Sequence, residues 1–291
     1  MSSRFGYIEA QSLQEASRLL LKHKDKASLL AGGTDLLVNI RNGNIRPQYV
    51  IDLHLLHGMK EIVPLPDGGV RIGALATLSQ VASHSRVQTD YQALNEAILT
   101  LGSPQIRNVG TVAGNICNAS PAADTAPSLL IYEALVNIAG PDGSRVLPIQ
   151  DFFKGPGLTA LDEGEIVETI DLPPYSEPAA SCYVKLGRMR GMDLAVAGVG
   201  ALVNRKKEVR LAFASVGPTP LRIKSAEKIL TKEPFKRSNI EQTLQAVRKA
   251  IQPISDVRAS GEYRTAMTAV LTKRALEIVK GRLSNRGISW E

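Results

Sequence analysis

Apolar residues in the first part of the chain recur at helical spacing and then give way to short continuous runs. Leu13, Ala16, Leu19 and Leu20 share one face of a helix that the capping box Ser12-Leu13-Gln14-Glu15 opens and that runs to about His23. A strand is expected over 27–31, then the Gly32-Gly33 turn, then a short helix from Asp35 to Asn42 that Gly43 stops. Asp35 falls in the first turn of that helix, where the dipole favours negative charge. A strand over 49–53 completes a small β-α-β-α-β unit.

A second part begins near Glu61 with a hairpin over 63–72, turned at Pro66-Asp67-Gly68-Gly69. Thr77-Leu78-Ser79-Gln80 is another capping box and starts a helix that ends near His84. Helices follow over 91–101, closed by Gly102, and over 122–133. Strands at 135–139 and 145–149 flank the turn Pro141-Asp142-Gly143-Ser144. In the strand over 165–172, Val167 and Thr169 face opposite to Ile166 and Ile170. The strongest linker signal is Pro173-Pro174-Tyr175-Ser176-Glu177-Pro178. Beyond it the pattern predicts three antiparallel strands and three helices, the last from about Gly261 to Arg282. The division is therefore 1–56, 57–174 and 179–291, in an α+β chain without internal repeats.

Composition narrows the class. A chain of 291 residues with 44% hydrophobic content can bury two or three cores. No apolar run approaches the roughly 20 residues that span a bilayer. Met1-Ser2-Ser3-Arg4-Phe5-Gly6-Tyr7 lacks the apolar stretch of a signal peptide. Cys117 and Cys182 are too few for a disulfide framework or an iron–sulfur cluster. The expectation is a soluble, cytoplasmic protein. The net charge of +7 invites a nucleic-acid reading, but the basic residues are scattered and aromatic content is 4%, which leaves little for base stacking. Arg205-Lys206-Lys207 lies between two apolar runs and reads as a hairpin tip, and Arg188-Met189-Arg190 is the other dense cluster. The basic balance suits solubility or an acidic partner surface.

The candidate chemistry lies in two segments of small residues, Ala31-Gly32-Gly33-Thr34-Asp35 and Thr111-Val112-Ala113-Gly114-Asn115. Backbone N–H groups without a neighbouring Cβ can approach an anion, and a pyrophosphate needs two sides of such a cradle. Neither the Gly-x-Gly-x-x-Gly fingerprint nor a P-loop is present, so the pattern points to a dinucleotide site outside those classes. Taken singly, these residues have plainer readings. Gly32-Gly33 suits a strand-to-helix connection, Asn115 and Asn118 suit turns, Asp124 suits a helix cap, and Lys185 suits a solvated strand. His54 and His57 have no third ligand in the sequence beside them, Cys117 suits a small buried position, and no Gly-x-Ser-x-Gly elbow occurs. With no acid–base machinery in view, the chemistry falls to a cofactor ring.

The two segments stand with Gln105-Ile106-Arg107-Asn108-Val109-Gly110, Asn118-Ala119-Ser120-Pro121-Ala122-Ala123-Asp124, Ile72-Gly73-Ala74, Phe152-Phe153-Lys154-Gly155-Pro156-Gly157 and Tyr183-Val184-Lys185. In this order and at these separations they resemble the FAD-binding medium subunit of the molybdenum hydroxylases, the xanthine dehydrogenase and carbon monoxide dehydrogenase family. The resemblance covers essentially the whole chain. It implies the two-subdomain FAD-binding fold of the p-cresol methylhydroxylase and vanillyl-alcohol oxidase type. To this it adds a C-terminal domain of a three-stranded antiparallel sheet with a helical bundle. It implies FAD held by Leu29, Leu30, Ala31, Gly32, Gly33, Thr34, Asp35 and Leu36, by Leu101 and Gly102, and by Thr111, Val112, Ala113, Gly114 and Asn115. Asp124, Val167 and Lys185 are implied as further contacts, with the flavin ring near 101–103 and the 152–157 loop. It further implies a large molybdenum–pterin subunit and a small subunit with two [2Fe–2S] clusters as partners in a hetero-oligomer, a heterotrimer or its dimer. Electrons would pass through FAD to NAD or another acceptor.

Leu101 departs from animal members, where the matching position is aromatic. The cysteine-bearing insertion of benzoyl-CoA-reductase-type relatives is missing, so no cluster is expected in this subunit. Two other readings stay open at this level: a stand-alone FAD-dependent oxidase, and a non-catalytic assembly module of the same fold.

Overall fold

Val50 and Ile51 have no exposed surface, and the strand that carries them is the middle of a three-stranded parallel sheet. The structure, a computed structural model, describes residues 4–175, 177–189, 191–231 and 233–288. Met1-Ser2-Ser3, Ser176 of the linker and Arg190 of the basic cluster therefore lie outside the described residues. The chain runs through β1 (Gly6–Glu9), α1 (Leu13–His23), β2 (Ala27–Leu30), α2 (Leu36–Asn42) and β3 (Tyr49–Asp52), with sheet order β1-β3-β2. Ser12 caps α1 as expected, its hydroxyl accepting the Glu15 N–H at 3.1 Å. The Glu15 carboxylate reaches one residue further back than a capping box requires and accepts from the Gln11 N–H at 2.8 Å. Gly43 ends α2 at φ +75°, the left-handed position for which glycine has no Cβ penalty.

The second sheet has the order β4-β5-β10-β6-β7 and is antiparallel throughout. β4 (Ile62–Pro64) and β5 (Val70–Gly73) form the expected hairpin. A run of short helices follows: α3 (Leu78–Ser83), α4 (Ser85–Thr89), α5 (Gln92–Leu99), α6 (Pro104–Arg107), α7 (Val112–Cys117) and α8 (Thr125–Ile131). Thr77 and Gln80 make both bonds of the capping box on α3. α8 is shorter than the 122–133 expected. At its C-terminus Glu133 adopts φ +53°, and the Glu133 and Ala134 N–H groups return to the Leu130 and Leu129 carbonyls, a Schellman closure. β6 (Leu135–Gly140) and β7 (Gly143–Pro148) form a hairpin, then come α9 (Ile149–Phe152), a small hairpin of β8 (Phe153–Gly155) and β9 (Leu158–Thr159), and β10 (Ile166–Leu172). The register on β10 shifts between Val167 and Thr169, so Glu168 is an inserted residue. Ile166 and Val167 precede the shift and point to opposite faces, and both are buried because this central strand is covered on both sides.

The C-terminal sheet has four strands rather than the three expected, in the order β11-β12-β13-β14. β11 (Ala179–Leu186), β12 (Ala197–Asn204) and β13 (Val209–Ala214) are the predicted three, and Lys206 stands in the β12–β13 hairpin connection as read from the sequence. The fourth, β14 (Leu221–Arg222), is two residues long and pairs with Ala212 and Phe213, too short to leave a periodic pattern. α10 (Lys224–Leu230), α11 (Arg237–Ala250) and α12 (Gly261–Asn285) complete this part. Leu271, Ala275, Leu276 and Val279 of α12 join β11–β13 in a core of their own. The proline-rich connection is not a free tether. Tyr175 packs on Tyr91 and Tyr132 at 5.7 and 5.8 Å between ring centroids, and the Tyr91 hydroxyl donates to the Leu172 and Pro173 carbonyls.

Candidate functional site

The parallel sheet delivers β2 to Gly32, at the carboxyl end of its strands. Gly32 packs against the segment 109–110: a Cβ here would overlap the Val109 carbonyl oxygen and lie 2.7 Å from Gly110 Cα. The first segment therefore lies directly against the residues that lead into the second, an approach only glycine permits at this point. Gly33 follows at φ +70° and turns the chain into α2. Among the described residues, the backbone N–H groups of Gly32, Gly33, Thr34, Asp35 and Leu36 meet no protein acceptor. Successive free N–H groups at such a turn form an anion-binding concavity. Burial pushes the Asp35 carboxyl above its usual range.

The second segment is the start of a helix rather than a free turn. Thr111 caps α7, and its hydroxyl accepts the Gly114 N–H at 2.9 Å. That N–H is committed to the cap, so the donor this wall offers is the Ala113 N–H, which has no acceptor among the described residues. Gly114 contributes bare backbone: the one atom within 4 Å of a Cβ placed there is Thr111 Oγ1. Asn115 accepts from the Thr125 hydroxyl at 2.6 Å, and Asn118 donates to Asp35 at 3.3 Å, which ties α7 to the start of α2.

Leu101 and Gly102 form a third wall. Gly102 has φ +55°, and Arg107 donates to both the Leu101 and Gly102 carbonyls at 3.0 Å. Asp124 forms a fourth. Its carboxylate makes no cap to α8; it accepts from Lys185 Nζ at 2.7 Å and from the Tyr183 hydroxyl at 2.7 Å. Lys185 donates further to the Thr100 carbonyl at 3.1 Å. Both side chains of the ion pair are 7% exposed. Burial pushes the Asp124 carboxyl up, opposed by the charge of Lys185 and the bond from Tyr183. Burial also raises the Cys117 thiol to about 12, which keeps it protonated and a poor nucleophile.

These walls enclose a cavity of about 750 Å³, within the size range of organic-ligand sites. Of the residues singled out from the sequence, Leu29, the 31–36 segment, Leu101, Gly102, Thr111, Ala113, Gly114, Asn115, Asp124 and Val167 line it. Leu30 and Val112 do not line it, Val112 being a core residue, and Lys185 reaches the cavity through Asp124. The 152–157 loop, expected beside the ring, does not line the cavity: Phe152 and Phe153 are core residues, and Gly157 bonds to the Ala119 carbonyl. Met192, Asp193 and Leu194 take that place. Met189, Met192 and Leu194 are about 60% exposed, and apolar residues in so polar a loop were the available signal. No Lys or Arg lines the cavity among the described residues, whereas Asp35, Asp124, Glu165 and Asp193 do. A bound phosphate would thus be met by backbone dipoles.

The comparisons with known proteins follow the same lines. Residues 3–175 match the FAD binding domain in molybdopterin dehydrogenase, and residues 182–279 match the CO dehydrogenase flavoprotein C-terminal domain. The chain is 36% identical over 275 residues to the xanthine dehydrogenase FAD-binding subunit of Escherichia coli O157:H7, covering 93% of this chain and 94% of that one. It is 32% identical over 286 residues to the carbon monoxide dehydrogenase medium chain of Hydrogenophaga pseudoflava, covering 96% and 98%. A solved structure of carbon monoxide dehydrogenase from H. pseudoflava superimposes with a TM-score of 0.93 at 31% identity, covering 97% and 99% of the two chains.

Proposed function

The chain belongs to the family of FAD-binding subunits of the molybdenum hydroxylases, and from that premise we propose that it is the electron-transfer subunit of such a complex. It is an oxidoreductase subunit with FAD as cofactor. In the proposed role it takes electrons from [2Fe–2S] clusters of a small partner subunit, supplied by a large molybdenum–pterin subunit, and passes them to NAD or another acceptor. The units 1–56 and 57–174 would form the two halves of an FAD-binding fold of the p-cresol methylhydroxylase type, with 179–291 as the C-terminal domain.

The observation that carries this reading is the row of unpartnered N–H groups at 32–36 facing the cap of α7 across one cavity. The residues present fit FAD. A diphosphate needs donors and room for close approach, and this cradle supplies N–H groups with glycine at the two contact points. A side chain at Gly114 would stand in the cavity itself. Gly32, Gly33, Thr34 and Ala113 would hold the phosphates. Asp124, an acceptor on both oxygens, would take hydroxyl donors rather than lie against the diphosphate, where like charges repel. Leu101, Val167 and Ile166 would supply apolar surface to a ring. When bound, the flavin supplies a ring that takes up electrons singly and gives up two together. The chain's own residues bind it, orient it and keep water from its buried face.

The visible spectrum of the purified chain, with chromatography of the cofactor released by heat, tests this. A flavin spectrum with FAD in the supernatant is expected. A colourless chain that refuses added FAD, alone and with its partner subunits, overturns it.

A further inference from the structure

Tyr183 is absent from the cavity lining, yet several elements of the fold converge on it. It stands two residues before Lys185 on β11, so both project from one face of the strand toward the start of α8. There the hydroxyl donates to one oxygen of Asp124 and the lysine to the other. The Tyr183 backbone N–H donates to Glu96 of α5 at 2.8 Å, and the other oxygen of Glu96 is paired with Arg282 near the end of α12. Space for the hydroxyl comes from the next strand. A Cβ at Gly198 would overlap the Tyr183 oxygen and lie 3.1 Å from its Cζ.

We propose that Tyr183 is a positioning residue for the cofactor site: it sets the orientation of the Asp124 carboxylate at the cavity wall, with Gly198 leaving room for its hydroxyl. The role rests on FAD being the ligand of this cavity. A phenol that merely filled the core would gain nothing from its oxygen, because a buried hydroxyl is unfavourable unless paired. Here it is paired with the carboxylate that faces the ligand. Burial and the neighbouring Asp124 push the phenol well above its usual range, so it remains a donor at every working pH. The lysine supplies charge to Asp124, and the rigid phenol supplies direction.

The test uses the full chain with FAD, as wild type, Tyr183→Phe, Gly198→Ala and the double variant. Flavin fluorescence titrations from pH 5 to 9 give the affinity, and thermal unfolding of the FAD-free forms gives a structural control. Tyr183→Phe is expected to weaken FAD about tenfold at pH 7, the loss of one hydrogen bond to a charged group. Its acid limb should move up by about one pH unit, because a carboxylate with one donor fewer protonates earlier. Gly198→Ala should act in the same direction. The double variant should bind about as Tyr183→Phe does, since phenylalanine lacks the oxygen that the new methyl overlaps and leaves only the 3.1 Å approach to Cζ. Unchanged affinity and pH profile in both single variants would overturn the role and leave the cofactor assignment standing. A weaker affinity that merely tracks a lower melting temperature, with an unmoved pH profile, overturns it too. A wild type that takes up no FAD overturns the cofactor assignment and this role together. If Tyr183→Phe shows no folding transition, Gly198→Ala decides between the same outcomes.

Discussion

Asp124 and Asp256 are both carboxylates gripped by cations, one at the wall of the cavity and one in the loop before the last helix. Asp124 is met by a single lysine, a point charge, and both partners are almost fully buried. Its carboxyl is pushed up by burial. Asp256 is met by Arg258 at 2.6 Å and by Arg264 at 2.7 Å, with its own side chain 22% exposed. Arg258, followed by Arg264, holds that carboxyl well below the usual range. The second cluster is a clasp. Arg264, 1% exposed, also donates to the Val196 carbonyl and so ties the loop and α12 to the sheet. The first is a charge kept at a desolvated wall, an arrangement that lowers stability and suits binding.

The sharpest way to break this contrast is to add a carboxylate to the α7 wall of the cavity with no lysine beside it. Gly114→Asp does so, and FAD affinity should fall more than about 100-fold. The FAD-free chain should melt nearly as wild type, because a carboxylate in the first turn of α7 suits the helix dipole. Tight FAD binding by this variant, measured by fluorescence quenching, would remove Gly114 from the cofactor wall. Lys185→Ala comes next. It leaves Asp124 buried without a cation, held by the Tyr183 hydroxyl alone, and urea unfolding should show a loss of about 3–5 kcal/mol. Arg258→Ala should lose only about 1 kcal/mol, because Arg264 still holds Asp256. Equal losses at the two positions would erase the distinction drawn here.

The pH-dependent effect is the most specific in sign. The Asp256 pKa is lower folded than unfolded, where it is about 3.9. Its contribution is therefore complete above that pH and is lost as pH falls through the folded-state value. Asp256→Asn should lower stability by about 2 kcal/mol at pH 7, and the gap from wild type should close on acidification below about pH 4. Asp124 carries the opposite sign, since its folded pKa is raised and acid relieves its penalty. A gap at Asp256 that holds constant from pH 7 to pH 3 in urea unfolding would contradict this.

Much of the scaffold was legible along the chain because its signals are local. Ser12, Thr77 and Gly43 close hydrogen bonds within a few residues, so a cap or a stop can be read without the fold. The 205–207 hairpin and the long last helix follow from patterning of the same kind. Misreadings occurred where a local signal was short or interrupted. The six-residue α7, with a glycine inside it, read as a turn. The two residues of β14 left no pattern, and the bulge at Glu168 hid the register of β10.

The cofactor and its family were recoverable from the sequence, because several small-residue motifs keep one order along the whole chain. Tertiary structure alone decided how those motifs work. Gly32 matters because Val109 and Gly110 lie against it, a contact between segments far apart in the chain. Asp124 looked like a helix cap and is instead the partner of Tyr183 and Lys185, which lie 59 and 61 residues away. Residues 192–194 line the cavity and the 152–157 loop does not, a difference that packing between distant segments decides. Hydrogen bonds within a few residues are written into local sequence; a desolvated ion pair exists only once folding has removed the water between its partners.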